Sequence, residues 1–417
     1  MNSSIAPEGS LADWFAQQIR HLKPSDPDYV PHLIDAIFAA ARSAEVTDIH
    51  IEPCSDGYEI RWRIDGVLQT VAKYGSELGG RMVTRLKVLS RLLTYRSDVP
   101  QEGRLIERNQ ASETRVSTFP AIFGEKVVMR LFLGSGRFRF LDDLGLTADA
   151  VAELRSGLNE TGGVILLVGP AGSGKTTTNY ACLRELVDKN RGGRNLVSLE
   201  DPVEVVVPGV TQSLVNASAG FDLPTGLRSL LRQDPEVIMV GEIRDRTVAE
   251  TVFQAALSGH LVLTTFHAGS AVEAVCRLSD MDIEPYLLRS GIQRIVCQRL
   301  MRQLCECALE TTSNDLPAAL SRHRAPVGCP ACAGTGYKGR FVIAEVLNPR
   351  KTHLGRAVLS RGDVEELNQI AMESGMISQR QRALRAVEEG KTSLQELFRV
   401  LGTSPLDHDR SQKQKLA

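Results

Sequence analysis

The stretch "GVILLVGPAGSGKTTTNYACLRELVDK", residues 163–189, decides the fold. It opens with a continuous apolar run, which is typical of a strand buried on both faces. A glycine-rich turn follows, and a segment with helical character completes the stretch. The turn, residues 169–177, matches the pattern G-x-x-x-x-G-K-[ST] between a strand and a helix, the context that gives this pattern meaning. The stretch therefore predicts a phosphate-binding loop inside an α/β fold.

Each residue type in the loop has a physical role. Glycines let backbone N–H groups crowd around phosphate oxygens, and the following helix adds its positive end. Lys175 is expected to reach the β- and γ-phosphates, and Thr176 to hold Mg²⁺ through its hydroxyl. The candidate nucleotide-binding residues are Gly169, Pro170, Ala171, Gly172, Ser173, Gly174, Lys175, Thr176 and Thr177. The alternative is a glycine-rich turn with no ligand.

Three further apolar runs surround this stretch: "NLVSLE", "EVIMVG" and "LVLTTF". Helix-like segments lie between them, and this alternation predicts a parallel sheet covered by helices. Two runs end in acidic residues, Glu200 with Asp201 and then Glu242. The carboxyl ends of such strands face the ligand crevice, so Glu242 is placed to orient water or support Mg²⁺. For Asp201, a helix cap or a surface position is the alternative.

Composition limits the classes of function. The chain has 417 residues, enough for two or three domains, and a net charge of −1 from 49 basic and 50 acidic residues. This balance argues against a general binder of nucleic acid or anionic membrane. We expect no membrane span, because no apolar run approaches about 20 residues. We also expect no signal peptide at the start of the chain, and therefore a cytosolic protein.

Four cysteines form two close pairs, Cys305 with Cys307 and Cys329 with Cys332. Paired short spacings let each pair hold one face of a tetrahedral Zn²⁺, and four protein ligands make a structural site. The Cys-x-Cys pair is a strained chelator, so His323 is a possible substitute ligand. Absence of metal, or a redox pair, are the alternatives, although a cytosolic setting disfavours disulfides.

Four runs occur in a characteristic order: "GPAGSGKTTT", "LEDPVE", "LRQDPEVIMVGEIRD" and "ALSGHLVLTTFHAGSA". Together they resemble the motor ATPases of type II secretion and type IV pilus assembly. The runs "DIHIEP", "RWRIDGVL", "EGR" and "RVSTFPAIFGEKVVMRL" look like the amino-terminal catalytic-support domain of that family. The run "CPACAGTGYKGRFVIAEVL" is similar to its tetracysteine zinc segment.

The resemblance implies an α/β chain with a RecA-like P-loop domain. A small α+β, PAS-like domain precedes it, and a zinc-binding segment and C-terminal helices follow. The implied boundaries are a flexible N-terminal segment 1–28, an α+β support domain 29–135, a linker 136–150, a RecA-like core 151–300, a tetracysteine segment 301–345, a helical region 346–403 and a disordered tail 404–417.

The resemblance also implies catalytic residues. It places two histidines near the γ-phosphate and the catalytic water, gives two acids a catalytic role, and has two arginines that reach the phosphates from the smaller domain. These candidates are His260, His267, Glu200, Glu242, Arg104 and Arg115. Buried or surface histidines and solvated strand arginines are the alternatives.

The implied function is that of a cytosolic, hexameric, Mg²⁺-dependent ATPase with ATP, Mg²⁺ and structural Zn²⁺ as cofactors. Such a motor acts beneath an inner-membrane platform protein and assembles pilin or pseudopilin filaments, with no nucleic-acid partner. Three alternatives stay open: a retraction-type pilus ATPase, a nucleic-acid translocase of the same P-loop class, and a nucleotide-gated binding protein without turnover.

Overall fold

The computed structural model describes residues 10–106, 113–131, 138–190, 193–312, 322–350 and 352–402. They divide into two compact units. The first comprises Met1–Gly134, Leu304–Leu309 and Ala325–Gly339, and the second comprises Ser135–Gln303, Glu310–Arg324 and Arg340–Ala417. The predicted disordered tail and the first nine residues lie outside the described residues. No helix in the described part of the chain is both long and apolar enough to cross a bilayer.

In its described residues, the first unit is an antiparallel sheet with three α-helices. Its elements are α1 (Leu11–Ile19), α2 (Tyr29–Ser43), β1 (Asp48–Cys54), β2 (Gly57–Ile64), β3 (Val67–Tyr74), α3 (Ser76–Leu89), β4 (Gln101–Ile106), β5 (Glu113–Ala121) and β6 (Gly124–Leu131). The strand order is β3-β2-β1-β6-β5-β4. Alternate residues such as Ile49, Trp62 and Met129 are buried on one face, as the period of two in their strands predicts.

Helix α1 departs from the expected flexible segment 1–28. Ser10 begins the helix by accepting the backbone N–H of Asp13, and Phe15 is 1% exposed. The rings of Trp14 and Phe15 meet the ring of Trp62 edge to face, with centroids 6.4 and 5.2 Å away. The sequence around α1 is polar, but its few apolar side chains complete the core of the sheet domain.

The second unit is built on a seven-stranded sheet. Its strands are β7 (Gly163–Val168), β8 (Leu196–Glu200), β9 (Thr211–Leu214), β10 (Val237–Val240), β11 (Leu261–Phe266), β12 (Ile292–Leu304) and β15 (Tyr337–Leu347), and a separate pair consists of β13 (Leu309–Thr312) and β14 (Arg322–Ala325). The sheet order is β15-β12-β7-β11-β10-β8-β9. Strands β9, β8, β10, β11, β7 and β12 run parallel.

Ten helices belong to the described part of this unit. They are α4 (Ala148–Leu158), α5 (Lys175–Asn190), α6 (Leu223–Leu230), α7 (Arg246–Leu257), α8 (Ala271–Asp280), α9 (Pro285–Gly291), α10 (Thr352–Leu359), α11 (Val364–Glu373), α12 (Gln379–Glu388) and α13 (Leu394–Leu401). Residues of β7, β10 and β11 are buried throughout, which explains their continuous apolar runs. The predicted α/β class is confirmed, and the likeness of the first unit to a PAS domain stays a prediction.

Two predicted boundaries differ from the structure. The described part of the linker 136–150 contains a short 3₁₀ turn, Leu141–Leu144, whose leucines are buried in the core of the second unit. The segment 301–345 is divided, because β12 and β15 at its two ends are strands of the seven-stranded sheet. The cysteines between them belong to the first unit.

Candidate nucleotide-binding site

The parallel strands bring the glycine-rich loop after β7 and the acidic residue after β10 to one edge of the sheet. In the ladder, Val168 of β7 lies opposite Phe266 of β11 on one side and Cys297 of β12 on the other. The loop 169–174 follows β7, and β10 ends just before Glu242. Because carboxyl ends of neighbouring parallel strands share an edge, this is where a ligand crevice is expected.

The glycines of the loop are required by its backbone. Gly169 has φ of +145°, and a Cβ there would lie 2.5 Å from the carbonyl oxygen of Gln298 and 2.6 Å from Oγ of Ser173. Gly172 and Gly174 also have positive φ, 72° and 90°. The Ser173 hydroxyl is buried with no hydrogen-bond partner among the described residues. A buried, unpaired donor in a glycine loop at a helix start fits a phosphate group.

Lys175 lies inside the same loop. Its ammonium donates to the carbonyl oxygens of Gly169 and Pro170, both at 2.9 Å, and its side chain is buried. Burial lowers the pKa of Lys175, while the negative charge of nearby Glu242 acts in the opposite direction. Thr176 follows in the first turn of α5 and is half-buried, and its role as a Mg²⁺ ligand stays a prediction.

Glu242 is the centre of a polar group at this edge. Its carboxylate lies 3.5 Å from Nε2 of His267 and contacts Nε of Arg244. The other end of the Arg244 guanidinium lies 3.2 Å from the carboxylate of Asp201. Glu242 and His267 thus lie side by side, and their side chains keep 29% and 49% exposure to solvent. A half-exposed carboxylate next to a P-loop lysine can hold or deprotonate a water molecule.

Glu200 ends β8 at the same edge, but its carboxylate is already bonded. It is 3% exposed, and it accepts hydrogen bonds from Tyr180, from Ser198 at 2.6 Å and from Gln212 at 2.9 Å. The Tyr180 hydroxyl also accepts the backbone N–H of Glu204 at 3.0 Å. These bonds hold the segment after β8 in place, which is the work of a positioning residue.

His260 lies at the wrong end of β11 for its predicted role. Its backbone oxygen accepts the N–H of Gly163 at 3.0 Å, which places it at the amino end of β7. A six-residue strand separates it from His267, a distance of ~20 Å. The ring Nδ1 instead contacts the backbone oxygen of Ala255 at 2.9 Å, at the end of α7. The spacing of seven suggested a pair, but a strand carries its two ends to opposite edges of the sheet.

Arg104 and Arg115 lie side by side in the first unit. They are directly opposite each other in the β4–β5 ladder, and Arg130 follows Arg115 in the same cross-strand row. The structure therefore brings the two predicted arginines together on one sheet face. Their approach to a phosphate group stays a prediction.

Three polar residues at the sheet edge were not predicted as site residues. Arg244 was within a quoted motif, two positions after Glu242, and this proximity was the available signal. Gln298 donates to the carbonyl oxygen of Ser173 at 2.9 Å, and Arg299 lies near enough to Lys175 to lower its pKa. Both belong to β12, a strand that the apolar pattern did not identify.

The four cysteine sulfurs converge in the first unit. All lie within 4.8 Å of one another, with Sγ separations of 3.8 Å for Cys305–Cys329, 3.9 Å for Cys307–Cys332 and 3.7 Å for Cys329–Cys332. Bonds of about 2.3 Å in a tetrahedral ZnS₄ site require sulfurs about 3.8 Å apart, so the cluster fits Zn²⁺. Among the described residues the converging ligands are these cysteines, and His323 is not one of them.

Comparison with known proteins identifies relatives over most of the chain. The family model described as "Type II/IV secretion system protein" matches residues 23–399. Type II secretion system protein HxcR of Pseudomonas aeruginosa is 40% identical over 389 residues, which are 91% of this chain and 79% of that protein. Type II secretion system ATPase E of Vibrio cholerae is 39% identical, over 94% of this chain and 79% of that protein. The Legionella pneumophila ATPase DotB shares the fold, with a TM-score of 0.65 at 19% identity, over 90% of this chain and 96% of that one.

Proposed function

The chain belongs to the type II/IV secretion system protein family, and from this premise we propose that it is a Mg²⁺-dependent ATPase motor for the assembly of pilin or pseudopilin filaments. The observation that carries the proposal is the meeting of the phosphate loop, Glu242 and His267 at one edge of a parallel sheet. Two of its relatives are named for type II secretion, and one of these is named as an ATPase.

Each residue of the site has a separate role in hydrolysis. The loop amides and Lys175 bind the phosphates, for which Lys175 exchanges its bonds to the carbonyls of Gly169 and Pro170 for bonds to phosphate oxygens. Glu242 orients the attacking water and takes its proton, and His267 holds the Glu242 carboxylate through Nε2. The Thr176 hydroxyl would hold Mg²⁺, and the ion would supply positive charge that offsets the charge of the phosphates.

The motor acts as a homohexamer at the cytoplasmic side of the inner membrane, where a platform protein is its partner. Arg104 and Arg115 of the first unit supply positive charge to the phosphates when the nucleotide is enclosed. Their adjacent positions across β4 and β5 support this shared role. The net charge of −1 supports a protein partner in preference to nucleic acid.

Zn²⁺ has a structural role in this proposal. The sulfurs of Cys305, Cys307, Cys329 and Cys332 hold the ion in a closed site with no position for a substrate. The backbone N–H groups of Cys329 and Gly336 donate to the sulfur of Cys332 at 3.1 and 3.2 Å. Burial raises the pKa of this thiol, but these N–H groups and the neighbouring thiols outweigh burial and lower it to about 7. A thiolate is the form that binds zinc.

The test is steady-state hydrolysis of Mg-ATP by the purified chain. We expect turnover by the wild type, loss of turnover and of tight binding in Lys175→Ala, and binding without turnover in Glu242→Gln. Glu250→Gln is the matched control, because Glu250 is a carboxylate on α7 that pairs with Arg246. Normal turnover in Glu242→Gln would remove Glu242 from catalysis, and stimulation by single-stranded DNA would favour a translocase.

A measurement in cells distinguishes a motor that assembles filaments from one that retracts them. If the motor assembles filaments, cells that carry Glu242→Gln in place of the wild type lose filaments or the secretion that depends on them. Loss of a retraction motor has the opposite effect, an excess of filaments. The filament count therefore separates the proposed function from its nearest alternative.

A further inference from the structure

A buried carboxylate joins the starts of two helices in the second unit. Glu345 lies on β15 and is 4% exposed. One carboxylate oxygen accepts the backbone N–H of Ala271, the first residue of α8, at 2.6 Å, and the other accepts that of Gln379, the first residue of α12, at 3.1 Å. The first N–H groups of a helix lack partners within the helix and carry positive charge, so one anion stabilises both helix starts.

The α8 side of this contact leads to the candidate nucleotide site. Only residues 268–270 separate His267 from α8. Within this segment, the carbonyl oxygen of Gly269 accepts a hydrogen bond from Arg299 at 2.8 Å. This connection is short and is held by a hydrogen bond. A shift of the start of α8 therefore moves His267 relative to Glu242.

The α12 side leads to the phosphate loop by a second path. The side-chain amide of Gln379 donates to the backbone oxygen of Cys297 at 3.1 Å. Cys297 lies opposite Val168, the last residue of β7 before the loop. The next residue, Gln298, donates to the carbonyl oxygen of Ser173 at 2.9 Å. Helix α12 is thus bonded to the strand that supports the loop.

We propose that Glu345 and Gln379 are positioning residues for ATP hydrolysis, which hold His267 and the phosphate loop in a fixed relation and tie both to the C-terminal helices. The inference rests on the proposed ATPase function. Glu345 acts through α8, and Gln379 acts through β12. Helix α12 shares one apolar cluster with β12 and β15, so the hydrolysis step depends on the placement of this helix.

Glu345 must be an anion to fill this role. Burial raises its pKa, and the two backbone N–H bonds and the guanidinium groups of Arg299 and Arg382, which favour the charged form, offset this rise only in part. In Glu345→Gln one oxygen becomes an NH₂ group that faces an N–H donor. One helix start then loses its acceptor and has to move.

The test compares Glu345→Gln with Glu396→Gln in the whole chain. Glu396 is a matched control because it is a fully buried carboxylate that accepts a backbone N–H, that of Arg302 at 2.9 Å. For Glu345→Gln we expect kcat to fall roughly tenfold or more while KM for ATP stays within about twofold, because the loss affects alignment and not binding. For Glu396→Gln we expect a lower Tm with kcat close to that of the wild type.

Two further measurements test the inference, and the first of them does not depend on how well Glu345→Gln folds. Gln379→Leu removes the bond to Cys297 but keeps the backbone N–H, and we expect the same split between kcat and KM. Hydrogen exchange of residues 267–273 reports on the segment without turnover. It is expected to be faster in Glu345→Gln than in the wild type and in Glu396→Gln.

The outcomes separate this inference from the proposed function. Wild-type kcat in folded Glu345→Gln and Gln379→Leu, or exchange at residues 267–273 no faster than in the control, would overturn the inference. A wild-type chain that does not hydrolyse ATP would refute the proposed function instead. In that case the exchange experiment still decides whether Glu345 holds this segment.

Discussion

The two acids that end β8 and β10 differ in what surrounds their carboxylates. Glu200 is buried and accepts three side-chain hydrogen bonds, from Tyr180, Ser198 and Gln212. Glu242 is 29% exposed and faces His267. A carboxylate has about four lone-pair sites, so the three bonds to buried Glu200 leave little capacity for a water molecule, whereas the partly exposed Glu242 can accept one. The same residue type at the same edge therefore has a structural role at the end of β8, whereas its proposed role after β10 is in catalysis.

Substitution of each histidine by alanine tests the roles assigned to these two residues. In His267→Ala we expect kcat for ATP to fall about tenfold or more, because the Glu242 carboxylate loses the ring that holds it. In His260→Ala we expect less than a twofold change in kcat, because that ring contacts only the end of α7 among the described residues. Steady-state kinetics of the two purified variants check both values. A loss of turnover in His260→Ala equal to that in His267→Ala would contradict the assignment.

Strands with clear apolar runs were predictable, and a strand that carries arginines within the sheet was not. The run before the phosphate loop predicted β7, whereas β12 carries Arg294 and Arg302 inside the sheet. These arginines pair with Glu153 at 2.6 Å and with Glu396 at 2.8 Å, partners that lie 141 and 94 residues away in the chain. A local pattern contains no information about such partners, so β12 was not recognised and its Gln298 was missed as a neighbour of the loop.

Helix α1 gives a prediction at the scale of elements. Phe15→Ala removes a ring that is 1% exposed and packs on Trp62, so we expect the first unit to lose about 3 kcal/mol of its free energy of unfolding. Gln17 lies on the exposed side of the same helix, and Gln17→Ala is the control, with a change below about 0.5 kcal/mol. Urea unfolding monitored by tryptophan fluorescence measures both. Equal stability of the two variants would mean that α1 does not contribute to the core.

At the scale of the whole molecule, the chain leaves the second unit and returns to it. Strand β12 ends at Leu304, the segments Leu304–Leu309 and Ala325–Gly339 belong to the first unit, and β15 rejoins the large sheet. Spacing alone predicted the cysteine pairs but not the unit to which they belong. Ala333, in the turn after the second pair, packs against the core of the first unit. Zinc bound to these cysteines would fix the return segment to a domain whose other strands end about 170 residues earlier.

Removal of zinc should therefore affect the first unit and spare the nucleotide site. Four thiolates that hold Zn²⁺ at about 2.3 Å contribute directly to the folding of their segment. We expect about one zinc per chain, lost in the double variant Cys329→Ser and Cys332→Ser. Hydrogen exchange should then increase in residues 325–339 and in α1, because a Cβ at Gly334 would lie 3.9 Å from Cα of Ser10, the residue that begins this helix. Protection of β7 and binding of ATP should be retained, because their core consists of apolar strands in the second unit.

The variant Cys54→Ser is the control for this experiment, because Cys54 is a free thiol of the first unit outside the cluster. It should keep its zinc and its exchange pattern.

Elemental analysis and exchange together distinguish three results. Zinc near one equivalent with localised loosening supports a structural site that joins the return segment to α1. Zinc well below one equivalent in the wild type, with no effect of chelator, would mean that the four thiols are only packed together. Zinc loss that also unfolds β7 would mean that the metal supports both units, which the separate apolar cores do not predict.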